Sequence, residues 1–110
     1  MQFGTRFMRD ERSIVAPLMP RCYVCGSKKL VATHEIFYGT ANRKKSIEDG
    51  MLVNLCGEHH NLSDKGVHFN KELDLKLKQL GQKKWEETYG DREAFIKRYG
   101  KSYLSDTERK

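Results

Sequence analysis

The chain has 110 residues, of which 37% are hydrophobic, so its composition favours one small domain with a limited apolar core. The net charge of +6 and the pI of about 9.3 indicate a polyanionic partner more readily than an acidic protein. No apolar run approaches the roughly 18 residues that span a bilayer, which leaves a membrane role without support.

The N-terminal residues, 1–20, are predicted to form an extended arm. Pro17 and Pro20 prevent a helix from running into Cys22, because proline lacks an amide donor and clashes with the preceding turn. The three cysteines of the chain cannot all pair within it, and no secretory leader pattern is visible. We therefore expect reduced thiols in a cytoplasmic protein.

The first strand is expected close to the first two cysteines. Cys22 and Cys25 should lie in a turn that opens onto a short strand, 30–32. That strand would deliver His34 and Glu35 at its end, which makes them candidate functional residues.

A polar, basic loop, 38–46, is expected between this strand and a second one at 51–55. Ser46 and Asp49 would cap a single helical turn that ends at Gly50. Because the loop joins the two strands that frame the candidate site, its basic side chains are expected to contact phosphate groups. These residues are Arg43, Lys44 and Lys45.

Helices are expected after the second strand. A short one carries His59 and His60 and ends at Gly66. A longer one is predicted to begin after an Asn70 cap and to continue to Gly90, unless Gly81 breaks it. The apolar face that this helix would bury comprises Leu73, Leu77, Leu80, Trp85 and Tyr89.

The C-terminal part is predicted to be a helical extension of the same domain, 67–104. A last short helix from Arg92 should bury Phe95 and Tyr99. The polar tail, 105–110, is expected to fray.

Every cysteine of the chain belongs to a pair of metal-ligand residues: Cys22 with Cys25, and Cys56 with His59. Such pairs let one tight turn present two of the four tetrahedral ligands that zinc prefers. The sequence therefore predicts a closed Cys₃His zinc site, with His60 as the alternative fourth ligand. If His59 is the ligand, His60 is left to point elsewhere.

The same clamp would bring a second group of residues together. His34 and Glu35 follow one ligand pair closely, and His60 adjoins the other. A histidine and a carboxylate at a strand end, with a histidine on the following helix, suit one divalent ion and one proton acceptor.

Several stretches carry a resemblance to a known family, and together they cover about residues 20–100. They are Cys22-x2-Cys25, His34-Glu35-Ile36-Phe37-Tyr38-Gly39, Asn42-Arg43-Lys44-Lys45, Cys56-x2-His59-His60 and the run 60–70. The chain resembles HNH endonucleases of the ββα-metal (His-Me finger) type, particularly their small phage and prophage members.

This resemblance implies an α+β fold in which residues 21–66 form a zinc-clamped ββα core, a β-hairpin followed by a helix. It implies one catalytic divalent ion, Mg²⁺ or another, and hydrolysis of phosphodiester bonds in DNA. It also implies a bacterial or phage-infected host cell, with phage or host DNA-processing proteins as candidate partners.

The family pattern also implies roles for single residues. The residue after the last zinc ligand, here His60, contacts the catalytic metal. At the strand end a metal ligand precedes a histidine that activates water, and these positions read His34 and Glu35. A carboxylate is a weaker base than an imidazole, so activity could be low or lost. Shifting the alignment by one residue makes His34 the base and Thr33 its predecessor, so His34 is indispensable in both.

Further polar residues have weaker claims. Asn42 and Asn54 are the two candidates for the asparagine of the family signature, although turn and strand roles are favoured. His68 and Asp64 could add to the metal site or contact phosphate, although surface or capping roles are favoured. Two hypotheses remain: a DNA endonuclease, and a non-catalytic zinc module that binds nucleic acid or a phage or host protein.

Overall fold

A computed structural model describes residues 12–62, 66–67 and 70–104 of the chain, and for residues 61 and 62 only the backbone. The predicted arm therefore lies partly outside the described residues, and His68, Asp64 and the tail lie wholly outside them. The described elements, in chain order, are β1 (Ala32–Glu35), α1 (Asn42–Asp49), β2 (Leu52–Leu55), a wide helical turn of π-type geometry (Glu58–Leu62), α2 (Lys71–Thr88) and α3 (Arg92–Tyr99). The α+β class is confirmed.

β1 and β2 form a two-stranded antiparallel sheet in which His34 pairs with Val53 and Glu35 with Leu52. β1 begins two residues later than the predicted strand at 30–32. The strand starts later because Leu30 belongs to the preceding turn, where its φ of 50° is left-handed and incompatible with a strand. His34 consequently lies inside the strand, where its backbone is fixed by the sheet.

The prediction of a basic loop at 38–46 followed by a single helical turn was wrong, because the eight-residue helix α1 already begins at Asn42. Ser46 does not cap that helix. Its buried hydroxyl accepts from the Phe37 amide at 2.9 Å and donates to the Phe37 carbonyl at 2.6 Å, which ties α1 to the chain after β1. Gly50 ends the helix as predicted, in the left-handed conformation with φ of 75°.

The long helix α2 passes through Gly81 without a break. A methyl group at this position would lie 3.2–3.4 Å from the Phe37 ring and Ile36, so glycine permits close packing of α2 on the chain after β1. The Asn70 cap is confirmed, since its side chain accepts from the Leu73 amide. The helix ends at Thr88, two residues before the predicted stop at Gly90.

An aromatic cluster forms the core between α1, α2 and α3. Phe95 and Tyr99 are buried as predicted, and their ring centroids lie 5.3 Å and 4.6 Å from that of Phe37. Trp85 is also buried, with its centroid 5.5 Å from that of Phe95. Leu77 is buried, and Leu73 and Leu80 pack against the cluster while partly buried.

Tyr89 contradicts the predicted core face. Its side chain is 48% exposed because it follows the last helical residue, where the 3.6-residue periodicity no longer applies. The ring still contacts Trp85, and the hydroxyl donates to the backbone carbonyl of Asp49 at 2.9 Å.

Asp49, the last residue of α1, connects the helices through its buried carboxylate. The carboxylate accepts hydrogen bonds from the Trp85 indole at 2.8 Å, the Tyr99 hydroxyl at 2.8 Å and the Arg98 guanidinium at 2.9 Å. Burial and the neighbouring Asp49 carboxylate raise the pKa of the Tyr99 hydroxyl. Asp49 is thus the anionic centre of an otherwise aromatic interface.

We expect Asp49→Ala to lower the free energy of unfolding by roughly 3–5 kcal/mol, because it leaves buried donors and a guanidinium without their acceptor. Glu48→Ala is the matched control, since Glu48 is half exposed and contacts the same arginine at 3.0 Å. Its cost should stay below about 1 kcal/mol. Urea unfolding followed by Trp85 fluorescence measures both, and equal losses would contradict the assigned role.

Alkaline pH should destabilise the fold through Tyr99. The folded pKa lies above the unfolded value of about 10, so stability is intact below pH 10 and falls as pH rises further. Tyr99→Phe should flatten that fall while lowering stability at neutral pH. Denaturant midpoints measured between pH 7 and pH 11 test this, and an unchanged slope in the variant would refute it.

Candidate metal centre

Four predicted ligands meet at one point of the structure. The metal-binding atoms of Cys22, Cys25, Cys56 and His59 all lie within 4.8 Å of one another. Cys22 and Cys56 are buried and Cys25 is exposed, so the cluster lies at the edge of the core. His59, and not the alternative His60, belongs to this group.

The separations in the cluster suit a tetrahedral zinc ion. The Cys25 and Cys56 sulfurs are 3.7 Å apart, and the His59 Nδ1 atom lies 3.8 Å from Cys22 Sγ and 3.4 Å from Cys56 Sγ. Zinc–sulfur and zinc–nitrogen bonds of about 2.3 Å and 2.0–2.1 Å in a tetrahedron place ligand atoms about 3.4–3.8 Å apart. The cluster could therefore hold a structural metal such as zinc.

Local backbone hydrogen bonds present the first pair of ligands. The Gly26 amide donates to the Cys22 carbonyl at 2.9 Å, and the Cys22 amide donates to the Ser27 carbonyl at 2.8 Å. Gly26 has φ of 81°, which a side chain would strain. The Val24 amide lies 3.3 Å from the Cys22 sulfur and donates to it. These hydrogen bonds place both thiols on one side of the turn.

The second pair of ligands is joined to the first turn by the backbone. The Gly57 amide donates to the Lys29 carbonyl at 3.2 Å, and the His60 amide donates to the Cys56 carbonyl at 2.9 Å. Burial by itself raises the pKa of the Cys22 thiol, but hydrogen bonds from the Cys56, Cys25 and Val24 amides outweigh it, so the pKa is lowered. A lowered pKa favours the thiolate that binds metal.

His34 and His60 form a second group next to the cluster. Their ring centroids are 5.4 Å apart at an interplanar angle of 67°. The side chain of His34 is only 3% exposed. His60 is partly exposed and lies in the wide helical turn, directly after His59. The two imidazoles are thus in edge-to-face contact.

Sequence reasoning missed three residues beside His34. The Tyr38 ring lies 5.7 Å from the His34 ring, and the Lys78 ammonium lies 4.4 Å from the Tyr38 centroid and 3.0 Å from Asp74. Burial and the Asp74 carboxylate raise the pKa of Tyr38. The i,i+4 spacing of Asp74 and Lys78 predicts their ion pair, but no local pattern predicts their approach to Tyr38.

Glu35 does not share the surroundings of His34. Successive strand residues point to opposite faces, and the Glu35 carboxylate lies 3.8 Å from the Arg43 guanidinium on α1. The Glu35 side chain is 27% exposed and that of Arg43 is 60% exposed. The structure therefore groups His34 with His60, and Glu35 with Arg43.

The three basic residues predicted to contact phosphate differ in their surroundings. Arg43 pairs with Glu35, and Lys44 is exposed on α1. Lys45 is partly buried and donates to the Arg98 carbonyl at 2.7 Å, near the end of α3. Lys45 thus has a structural contact that the sequence did not indicate.

The two asparagines have structural partners. The Asn54 side chain accepts from the Thr33 hydroxyl at 2.7 Å and donates to the Met19 carbonyl at 2.7 Å. The Asn42 side chain donates to the Tyr99 carbonyl at 3.2 Å. Asn54 has the strand role that was favoured for it, whereas the turn role favoured for Asn42 was wrong, because Asn42 is the first residue of α1.

Comparison with known proteins gave no relatives: no family model, no curated protein and no solved structure matched the chain. Among the described helices, none combines the length and apolarity needed to cross a bilayer. Function therefore has to be argued from the site itself.

The Cys₃His cluster should bind one zinc ion per chain, and stripping the metal should unfold the segment around it. Zinc binding in zinc-finger peptides is worth roughly 10–16 kcal/mol, which exceeds or equals the stability of a small domain. Elemental analysis and circular dichroism before and after chelation measure this. His59→Ala should lose the zinc while His60→Ala keeps it, and the reverse would assign the fourth ligand to His60.

Proposed function

We propose that this protein is a metal-dependent DNA endonuclease of the HNH type with a ββα-metal core. In this proposal Cys22, Cys25, Cys56 and His59 hold a structural zinc. His34 and His60 hold a catalytic divalent ion, Mg²⁺ or another. The observation that carries the proposal is the 5.4 Å approach of the His34 and His60 rings beside the Cys₃His cluster.

The position of the two histidines relative to the cluster supports a functional pair. His60 follows the ligand His59 directly, and the His60 amide is bonded to the Cys56 carbonyl. His34 is held by β1, whose partner strand β2 leads into Cys56. The four-ligand cluster therefore fixes the backbone on both sides of the histidine pair, which is the rigid support that a reacting centre needs.

The donor set leaves room for a substrate. Two imidazoles fill only part of the coordination sphere of a hard divalent ion, so water and phosphate oxygens would occupy the other positions. When bound, such an ion supplies charge stabilisation for the phosphate and its leaving oxygen. The histidines would hold and orient the ion beside β1.

The proton acceptor for the attacking water would be Glu35, or His34 if His34 does not ligate the ion, because a neutral imidazole has only one basic nitrogen. Glu35 occupies the position after His34, but its carboxylate contacts Arg43 and points away from the histidine pair. Arg43 would therefore have to release this carboxylate, or share it, when a phosphate group approaches. A matched pair of variants separates the two assignments: Glu35→Gln removes the base, and Glu35→His restores an imidazole at that position.

Purified protein should nick plasmid DNA when Mg²⁺ or Mn²⁺ is added. His34→Ala and His60→Ala should each reduce nicking by at least about a hundredfold, because they remove a ligand of the reacting ion. Lys76→Ala, an exposed change on α2, is the control and should leave nicking unchanged. Zinc content must be normal in all variants, and undiminished nicking by either histidine variant would refute the proposal.

The base is tested in the same assay. If Glu35 is the proton acceptor, Glu35→Gln should lower the rate by roughly 10²–10⁴-fold, whereas a Glu35→His variant should retain or increase it. An unchanged rate in Glu35→Gln would assign the role to His34.

A non-catalytic zinc module that binds nucleic acid is the second candidate, and the Glu35–Arg43 contact favours it because it occupies the carboxylate. This candidate expects salt-sensitive DNA binding without nicking, and binding that survives His34→Ala and His60→Ala. Nicking that depends on both histidines would exclude it. A large gain of nicking in Glu35→His alone would indicate a nuclease that has lost its base.

A further inference from the structure

The segment that contains the first zinc-ligand pair is strongly basic. Residues 12–34 include four basic side chains and no acidic one. All four basic side chains are exposed. They are Arg12, Arg21, Lys28 and Lys29. Phosphate contacts were expected from the sequence at the basic residues of α1. This local excess of positive charge lies elsewhere in the chain.

Exposed apolar side chains lie on the same turn. Tyr23 is 47% exposed and Val24 is 43% exposed, although both adjoin the buried ligand Cys22. We call the exposed residues of this turn the knuckle surface: Arg21, Tyr23, Val24, Lys28 and Lys29. An exposed aromatic ring among cations is the combination that single-stranded nucleic acids use for stacking and phosphate contact.

A pocket adjoins Tyr23. It has a volume of about 260 Å³, and its mainly apolar walls include Pro17, Met19, Tyr23 and Val53, with Arg21 also lining it. Sites that enclose whole drug-sized molecules are typically about 300–1,000 Å³, so this pocket matches one flat ring system better than a complete cofactor.

Neither His34 nor His60 lines the pocket, although Val53, which does, is the cross-strand partner of His34. The Tyr23 amide donates to the Asn54 carbonyl at 2.7 Å, and the Asn54 side chain donates to the Met19 carbonyl. The chain that lines the pocket therefore follows the edge of β2 that β1 does not occupy. His34 lies on β1, at the opposite edge of β2.

We propose that the knuckle surface binds single-stranded nucleic acid, with an unpaired base stacked on Tyr23 at the pocket and phosphates contacted by Arg21, Lys28 and Lys29. A duplex keeps its bases stacked inside, so only an unpaired base can reach the ring and the pocket. The Asn54 side chain, the amide group of the pocket, already makes two hydrogen bonds. Binding should therefore tolerate most base sequences.

The central test is binding of a fluorescent oligothymidylate to the zinc-loaded full chain, measured by anisotropy without added Mg²⁺ or Mn²⁺. Tyr23→Ala should weaken binding roughly 5- to 150-fold, the range that loss of one base–aromatic stack produces. Tyr23→Trp should preserve it. Tyr89→Ala is the matched control, because Tyr89 has nearly the same exposure, 48%, on the helical side of the molecule.

The charged half of the proposal is tested by salt dependence. The double variant Lys28→Gln/Lys29→Gln should reduce the slope of log affinity against log salt by about 1.4, or 0.7 per lost phosphate contact. The control Lys76→Gln/Lys97→Gln removes the same charge from exposed positions on α2 and α3 and should leave the slope unchanged. Equal slopes for both double variants would overturn the assigned contacts.

Two further oligonucleotides, one abasic and one duplex, test whether an unpaired base is what Tyr23 binds. An abasic oligonucleotide should bind wild type and Tyr23→Ala equally, since no base is present to stack. Equal losses in Tyr23→Ala and Tyr89→Ala, or the same Tyr23 dependence with duplex DNA, would overturn the proposal. The endonuclease proposal fails separately, because His34→Ala and His60→Ala should keep Tyr23-dependent binding whether or not the wild type cuts DNA.

Discussion

Four ligand atoms from two distant turns meet at one point, and they add to the backbone hydrogen bonds that join these turns. Cys22 and Cys25 come before β1, and Cys56 and His59 come after β2. A sheet of two four-residue strands is marginal by itself. A metal held by this cluster would therefore help to fix the strand that carries His34.

The helices are stabilised by a different interaction. Asp49 is the last residue of α1, and its carboxylate accepts hydrogen bonds from side chains of α2 and α3. This one carboxylate therefore links all three helices. Ser46 links α1 to Phe37 at the end of the sheet. The sheet beside the Cys₃His cluster and the aromatic cluster of the helices thus meet at Phe37, three residues after His34.

The sequence predicted the features that depend on local chemistry. Ligand spacing predicted the Cys₃His cluster, and side-chain capping and glycine preferences predicted Asn70 at the start of α2 and Gly50 at the end of α1. It failed at α1, because α1 is polar, lacks a side-chain cap at its start and is held by the tertiary contact of Ser46 with Phe37. The contact between Tyr38 and Lys78 was equally invisible, since it joins elements far apart in the chain.

Gly81 lets α2 pack closely on Ile36 and Phe37, the residues that follow β1 and its His34. Because glycine has no Cβ atom, the helix can lie directly against the Phe37 ring. Phe37 is three residues after His34. The distance between helix and strand is therefore set at a position that touches neither metal group. A methyl group at Gly81 would force α2 or the Phe37 ring to shift by a few tenths of an ångström, close to the strand that carries His34, although every ligand remained present.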